Sequence, residues 1–209
     1  MTANESYRVL CRELEKISES RCFEAFELVA GCAGLSRTQV LTGSFELSGE
    51  QVQTIDAALL RRLNGEPLQY ILGEWTFYGR PFSVGEGVLI PRADTETLVE
   101  AALSLASAVE KPHIADLCAG SGCIAVTLAR ELSGSSVDAF EKSGEAYSYL
   151  TRNIARHGAA VRPFLFDVCA SSAGLYDMIV SNPPYLSAAD MARLQKEVSF
   201  EPAVALAGG

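Results

Sequence analysis

From Pro91 onward the sequence switches repeatedly between a helical period and a strand period, and that succession constrains the fold more than any other feature. Apolar positions recur at helical spacing over 95–108, 121–132 and 144–157, the last stretch stopped by Gly158. Between and after them lie short runs rich in β-branched and aromatic residues, at 113–117, 137–140, 161–166 and 176–180. Strands separated by helices cannot close as hairpins and must pair in parallel through crossovers. The expected architecture is a parallel, doubly wound α/β sheet, which gathers its functional groups at the carboxyl ends of the strands.

Upstream the pattern differs. About the first 65 residues read as helical: Leu10, Leu14 and Ile17 fall on one face, and Phe23, Phe26 and Ala30 continue the pattern. The clearest helix starts at Ser48, paired with Gln51 as a capping box, carries Val52, Ile55, Leu59 and Leu63, and stops at Asn64-Gly65. Trp75 and Phe77 then alternate before Gly79-Arg80-Pro81, followed by Phe82, Val84 and the apolar run Val88-Leu89-Ile90, which suggests a hairpin-like connector. Three regions are expected: a helical domain over 1–72, a hairpin linker over 73–90, and an α/β domain over 91–209.

A net charge of -9 over 209 residues disfavours nucleic acid as a partner. The amino-terminal residues interleave acids and bases with apolar positions, unlike a signal peptide, and no apolar run approaches membrane length. A cytoplasmic protein with no membrane association is expected. Six cysteines form no Cys-x-x-Cys pair and only His113 and His157 accompany them, so no metal site is expected and the thiols read as reduced, mostly buried small hydrophobes.

The chemistry is expected at strand ends. The first strand runs into Cys118-Ala119-Gly120-Ser121-Gly122, a turn of small residues into a helix, where a ligand can approach the backbone and its free N–H groups. The second ends in Glu141, placed to accept the hydroxyls of a ribose, and the third in Asp167, placed to meet an adenine amino group. To this point NAD and S-adenosylmethionine fit equally well. The fourth strand decides between them, because it runs into Asn182-Pro183-Pro184-Tyr185. Two prolines stiffen the loop and fix the directions of the Asn182 side chain and the Pro183 carbonyl. Such a loop suits a planar NH2 group, a poor nucleophile that must be held through its hydrogens and aimed at the methyl donor. Tyr185 is expected to stack on that flat group.

With these residues in view, the chain resembles the HemK/PrmC family, the peptide chain release factor glutamine methyltransferases. The resemblance is carried by Asn182-Pro183-Pro184-Tyr185 after Ser181, by Gly65 to Gly73, by Val88-Leu89-Ile90-Pro91-Arg92 with Thr95-Glu96, and by Glu197-Val198, Phe200-Glu201-Pro202 and Ala205-Leu206. It covers the whole chain. It implies a class I (Rossmann-like) methyltransferase sheet with a small all-helical amino-terminal domain that docks the release factor. It implies S-adenosylmethionine as cofactor and the glutamine of the Gly-Gly-Gln segment of class I peptide chain release factors as acceptor. By motif position, Cys118, Ala119, Gly120, Ser121, Gly122, Glu141, Asp167, Val168 and Asn182 bind the cofactor. Asn182, Pro183, Pro184 and Tyr185 are the catalytic loop, and with Arg92 they bind the substrate.

The chain departs from the family in two places. Cys118-Ala119-Gly120 stands where Gly-Thr-Gly is usual, and Pro91-Arg92-Ala93-Asp94-Thr95-Glu96 where Pro-Arg-Pro-Glu-Thr-Glu is usual. Only four strands of the α/β domain can be read before Gly209, whereas the family's fold has seven. The expectation is a truncated form of a natural chain longer by roughly 70 residues, the span of three more strands and their helices. A monomer is expected. The alternatives kept open are a ribosomal-protein glutamine methyltransferase, a DNA adenine methyltransferase, and a non-catalytic scaffold of the same fold.

Overall fold

The computed structural model describes residues 1–170 and 174–208, which form two compact units, Met1–Leu72 and Gly73–Gly209. The first is helical: α1 Ala3–Glu13, α2 Arg21–Ala33, α3 Arg37–Leu41, α4 Gly49–Leu63 and α5 Leu68–Leu72. Helices α1, α3 and α4 begin where side chains satisfy the free N–H groups of the first turn. Thr2 with Glu5, Ser36 with Gln39, and Ser48 with Gln51 each make a reciprocal capping box.

The buried stripes of this unit differ in part from the periodicity. Leu10 and Leu14 are buried as expected, but α1 ends at Glu13 and Ile17 lies beyond a short 3-10 turn, 42% exposed. In α2 the buried residues are Ala25, Leu28 and Val29, while Phe23 is half exposed. The reason is a charge in the interior. Arg62 of α4 is 4% exposed and its Nε donates to Glu24 Oε2 at 2.7 Å, so α2 turns the Glu24 face inward. A buried charge must be paired, and this pair holds the Glu24 face of α2 against α4.

The second unit opens with a hairpin, β1 Glu74–Phe77 against β2 Arg80–Ser83. The turn is Tyr78-Gly79, both in the left-handed region (φ 49° and 70°), so Pro81 falls within β2 rather than in the turn. Phe77 and Phe82 are fully buried, 6.1 Å apart edge to face.

The remainder is α6 Asp94–Ala106, β3 His113–Leu117, α7 Cys123–Glu131, β4 Ser136–Glu141, α8 Gly144–His157, β5 Val161–Leu165, β6 Met178–Ser181, α9 Ala188–Met191 and α10 Ala203–Leu206. Strands β3 to β6 form one parallel sheet in the order β5-β4-β3-β6. Ile114, Val137, Val161 and Val180 join Val99, Ala102, Ala125, Val126, Leu128 and Leu150 of α6, α7 and α8 in one apolar core. The chain steps outward from β3 to β4 to β5, then returns to lay β6 on the far side of β3. Between β3 and β6 the direction of winding reverses, and at that point an open sheet has a crevice at the carboxyl ends of its strands.

No helix among the described residues is long and apolar enough to cross a membrane. The cysteines correct one expectation. All six are free, but only Cys123 is buried, and Cys22 and Cys169 are exposed.

Candidate active site

At the end of β3 the backbone must turn sharply into α7, and it does so through three left-handed residues, Cys118 (φ 61°), Gly120 (φ 56°) and Gly122 (φ 79°). Glycine adopts this region freely, whereas a side chain makes it costly. Cys118 is therefore a strained residue at the first position. An atom added at Gly120 in place of its hydrogen would meet no protein atom within 4 Å, so the turn leaves space there. The same addition at Gly122 would fall 2.5 Å from Leu150 of α8. Gly122 serves close packing of α7 and α8 and does not line the cavity described below.

Two side chains brace this turn. The Asn153 amide of α8, fully buried, donates to the Ser121 carbonyl at 2.8 Å and the Ser83 carbonyl at 3.1 Å, fastening the turn to the hairpin. Asp116 of β3, also fully buried, accepts the Ala125 N–H at 3.0 Å, one of the free donors in the first turn of α7. Its other oxygen has no hydrogen-bond partner among the described residues. Burial, opposed by the Ala125 N–H and reinforced by nearby Glu141, pushes the Asp116 carboxyl up to about 7. Burial and then Glu141 also push the Cys118 thiol upward, and burial takes the Cys123 thiol to about 12.

Glu141 ends β4 and is 8% exposed. Its Oε2 accepts the Gly120 N–H and its Oε1 the Ser143 N–H, each at 2.8 Å. A carboxylate has about four acceptor positions, so two lone pairs remain. Asp167, two residues beyond β5, has one oxygen accepting the Cys169 N–H at 2.9 Å. At the end of β6, Ser181 Oγ donates to the Leu117 carbonyl at 2.8 Å and so ties the two strands where the winding reverses. Asn182 Nδ2 donates to Thr95 Oγ1 of α6 at 3.5 Å, which leaves its oxygen as an acceptor.

These ends surround one cavity of about 470 Å³, within the range of small-molecule sites. Cys118, Ala119, Gly120 and Ser121 line it, as do Glu141, Asp167, Val168, Asn182, Pro183, Pro184 and Arg92. Of the residues expected at the site, Gly122 and Tyr185 stand outside the lining, and Tyr185 is 78% exposed on the outer side of its loop. The lining also includes residues that motif reading did not single out as site residues. Phe166, Ser143 and Thr95 are among them, as are Pro202, Ala205 and Ala207 of a carboxyl-terminal strap that pairs with the loop at Leu186. Thr95, Pro202 and Ala205 carry part of the family resemblance, but no local signal marks them as walls of the cavity.

The residues present fit an adenosine-bearing cofactor: a buried carboxylate with spare lone pairs, a second acid beside it, and a turn with room for a ligand against its backbone. Fold and site together define a class I S-adenosylmethionine-dependent methyltransferase. Residues 94–204 match the methyltransferase small domain family and residues 7–73 the PrmC N-terminal domain family. The chain belongs to the release factor glutamine methyltransferase family. It is 40% identical over 206 residues to the release factor glutamine methyltransferase of Chlorobaculum tepidum, an alignment covering 92% of this chain and 70% of that protein. It is 42% identical to that of Koribacter versatilis (78% and 60%) and 42% identical to that of Geobacter sulfurreducens (93% and 69%). The chain thus spans 60 to 70% of the length of these three relatives.

Proposed function

We propose that the protein transfers a methyl group to the side-chain amide nitrogen of the glutamine in the Gly-Gly-Gln segment of class I peptide chain release factors. The observation that carries this reading is the placement of Asn182, Pro183 and Pro184 on the same cavity as Glu141 and Asp167. A loop able to hold a planar amide thus shares its space with groups able to hold adenosine. The names of the relatives support the choice of acceptor.

S-adenosylmethionine, when bound, supplies an electrophilic methyl sulfonium. The chain's own residues do the rest. Glu141 accepts the ribose hydroxyls and Asp167 the adenine amino group, and the turn at 118–121 approaches the remainder with its backbone. Asn182, oriented by its bond to Thr95, accepts one amide N–H through Oδ1, and the Pro183 carbonyl accepts the other. Both hydrogens held, the nitrogen lone pair is aimed across the cavity in line with the breaking bond. No general base is required in the loop, since a nitrogen that has gained a methyl carries positive charge and releases its proton readily to water. Tyr185, outside the cavity, is placed to cover the acceptor peptide rather than the amide. The helical unit docks the release factor, the protein acts as a monomer in the cytoplasm, and nucleic acid takes no direct part.

Incubation with methyl-labelled cofactor, a class I release factor and ribosomes, followed by peptide mass mapping, tests this reading. One added methyl on the Gly-Gly-Gln peptide is expected. A modified ribosomal peptide beside an untouched Gly-Gly-Gln peptide would make the chain a ribosomal-protein methyltransferase, and label in duplex DNA an adenine methyltransferase. Calorimetry that detects no cofactor binding would leave a non-catalytic scaffold.

A further inference from the structure

Glu201 carries a buried carboxylate whose hydrogen-bond partners, Ile90 and Arg92, are remote in sequence. Its side chain is 1% exposed, its Oε2 accepts the Ile90 N–H at 3.0 Å, and its Oε1 pairs with Arg92 Nη2. An ion pair with only one partner buried is a weak device for stability alone, since the exposed side is screened by solvent and the buried side is desolvated. What it supplies is direction, since a guanidinium held through one arm presents its remaining donors along set lines. Arg92 is 43% exposed and lines the cavity.

Beyond Glu201 the chain forms the strap. Leu186 N–H donates to the Leu206 carbonyl at 2.9 Å and Gly208 N–H to the Leu186 carbonyl at 3.0 Å. At Gly208 an added Cβ would lie 3.0 Å from both the Pro184 oxygen and the Tyr185 Cα, so the strap lies directly on the loop. One end of the strap is clasped to residues 90–92 and the other to the residues following Asn182. Pro91 and Arg92, Pro202 and Ala205, and Pro183 and Pro184 all line the cavity between these attachments. The bonds of Glu201 go to that end and not to the turn at 118–122.

We propose that Glu201 is a positioning residue for the acceptor: by clasping Ile90 and Arg92 it fixes the strap over the Asn182 loop and sets the slot that admits a flat amide. The proposal rests on the reading that this loop holds the glutamine. Because Glu201 acts through Arg92 and the strap, its loss weakens the acceptor's hold and leaves the cofactor's unchanged.

The test compares the full chain with Glu201→Gln, Glu201→Asp, Arg92→Ala and the double variant Arg92→Ala/Glu201→Gln. It measures affinity for S-adenosylhomocysteine by calorimetry, KM and kcat with a Gly-Gly-Gln peptide, and amide exchange at Leu186 and Gly208 with S-adenosylhomocysteine bound. Glu201→Gln should hold cofactor affinity within about twofold and raise the acceptor KM by about tenfold, with a smaller change in kcat. Glu201→Asp should recover most of the loss, and the double variant should be no worse than Arg92→Ala. Exchange at Leu186 and Gly208 should accelerate by about tenfold or more as the strap loosens. An unchanged KM, a cofactor affinity that falls in step with it, or additive losses in the double variant would overturn the proposal. Should the wild type methylate no glutamine peptide, the functional reading fails. The exchange rates then decide the clasp by themselves, unaltered rates at Leu186 and Gly208 refuting it.

Discussion

The Gly120 N–H donates to Glu141 Oε2 at 2.8 Å, which joins the turn after β3 to the end of β4. The carboxylate proposed to hold the ribose is thus also the group that fixes the turn approaching the rest of the cofactor. Its second oxygen is fixed by Ser143 at the start of α8, so it is held in place before any ligand arrives.

Glu141→Ala should weaken cofactor binding by about 2 to 3 kcal/mol, the loss of charge-assisted hydrogen bonds to the ribose. It should also loosen the turn, because Gly120 loses its acceptor. Calorimetry with S-adenosylhomocysteine checks the first effect and thermal melting the second. Unchanged affinity would reduce Glu141 to a brace for the turn.

Asn182→Ala should behave in the opposite way. Cofactor affinity should stay nearly constant while methyl transfer falls by about two orders of magnitude or more, as when a positioned polar group is lost from a preorganised site. Thr95→Val should reproduce part of that fall, since it removes the oxygen that accepts from Asn182 Nδ2. Equal losses of binding and turnover in Asn182→Ala would contradict the role given to the loop.

The sheet was legible because alternating periods leave few ways to pair strands, and the strand ends were legible because Glu141 and Asn182 follow directly from that order. Tertiary relations were not. Nothing local indicates that Arg62 turns inward to meet Glu24, so the exposure of Phe23 could not be read from its spacing. Similarly, Gly122 and Tyr185 belong to motifs that line a cavity, yet one packs against Leu150 and the other faces solvent. A motif fixes the path of the backbone more firmly than it fixes where each side chain in it points. Glu201 was visible as a family mark, but its contact with Ile90 spans 111 residues and only the fold could disclose it.

Cys118→Gly should stabilise the protein. A side chain in the left-handed region costs about 1 to 2 kcal/mol, and the extra freedom of glycine in the unfolded chain takes back about 0.5 to 1. The net gain should raise the melting temperature by about 2 °C. A lower melting temperature would mean that the Cys118 side chain contributes packing worth more than its backbone strain.

Asp116 gives the last prediction, a dependence of stability on pH. Its carboxyl rises from an ordinary 3.8 to about 7 in the folded protein, chiefly through burial. A raised carboxyl binds its proton more tightly folded than unfolded, so the contribution is fully present below about pH 4 and is lost as pH rises through about 7. A rise of that size corresponds to something on the order of 4 kcal/mol at the alkaline end. Asp116→Asn removes the titration while keeping an oxygen able to accept the Ala125 N–H, the bond that holds the first turn of α7. Urea unfolding at intervals from pH 5 to 8 should therefore show the variant gaining on the wild type as pH rises, the difference levelling above about pH 7. Because every other titrating group is common to both proteins, their difference isolates this one carboxyl. Curves that run parallel across the range would show that Asp116 is ionised throughout. In that case its unpartnered oxygen must be satisfied by a donor not provided by Ala125, and α7 would be held by a carboxylate rather than by a carboxylic acid.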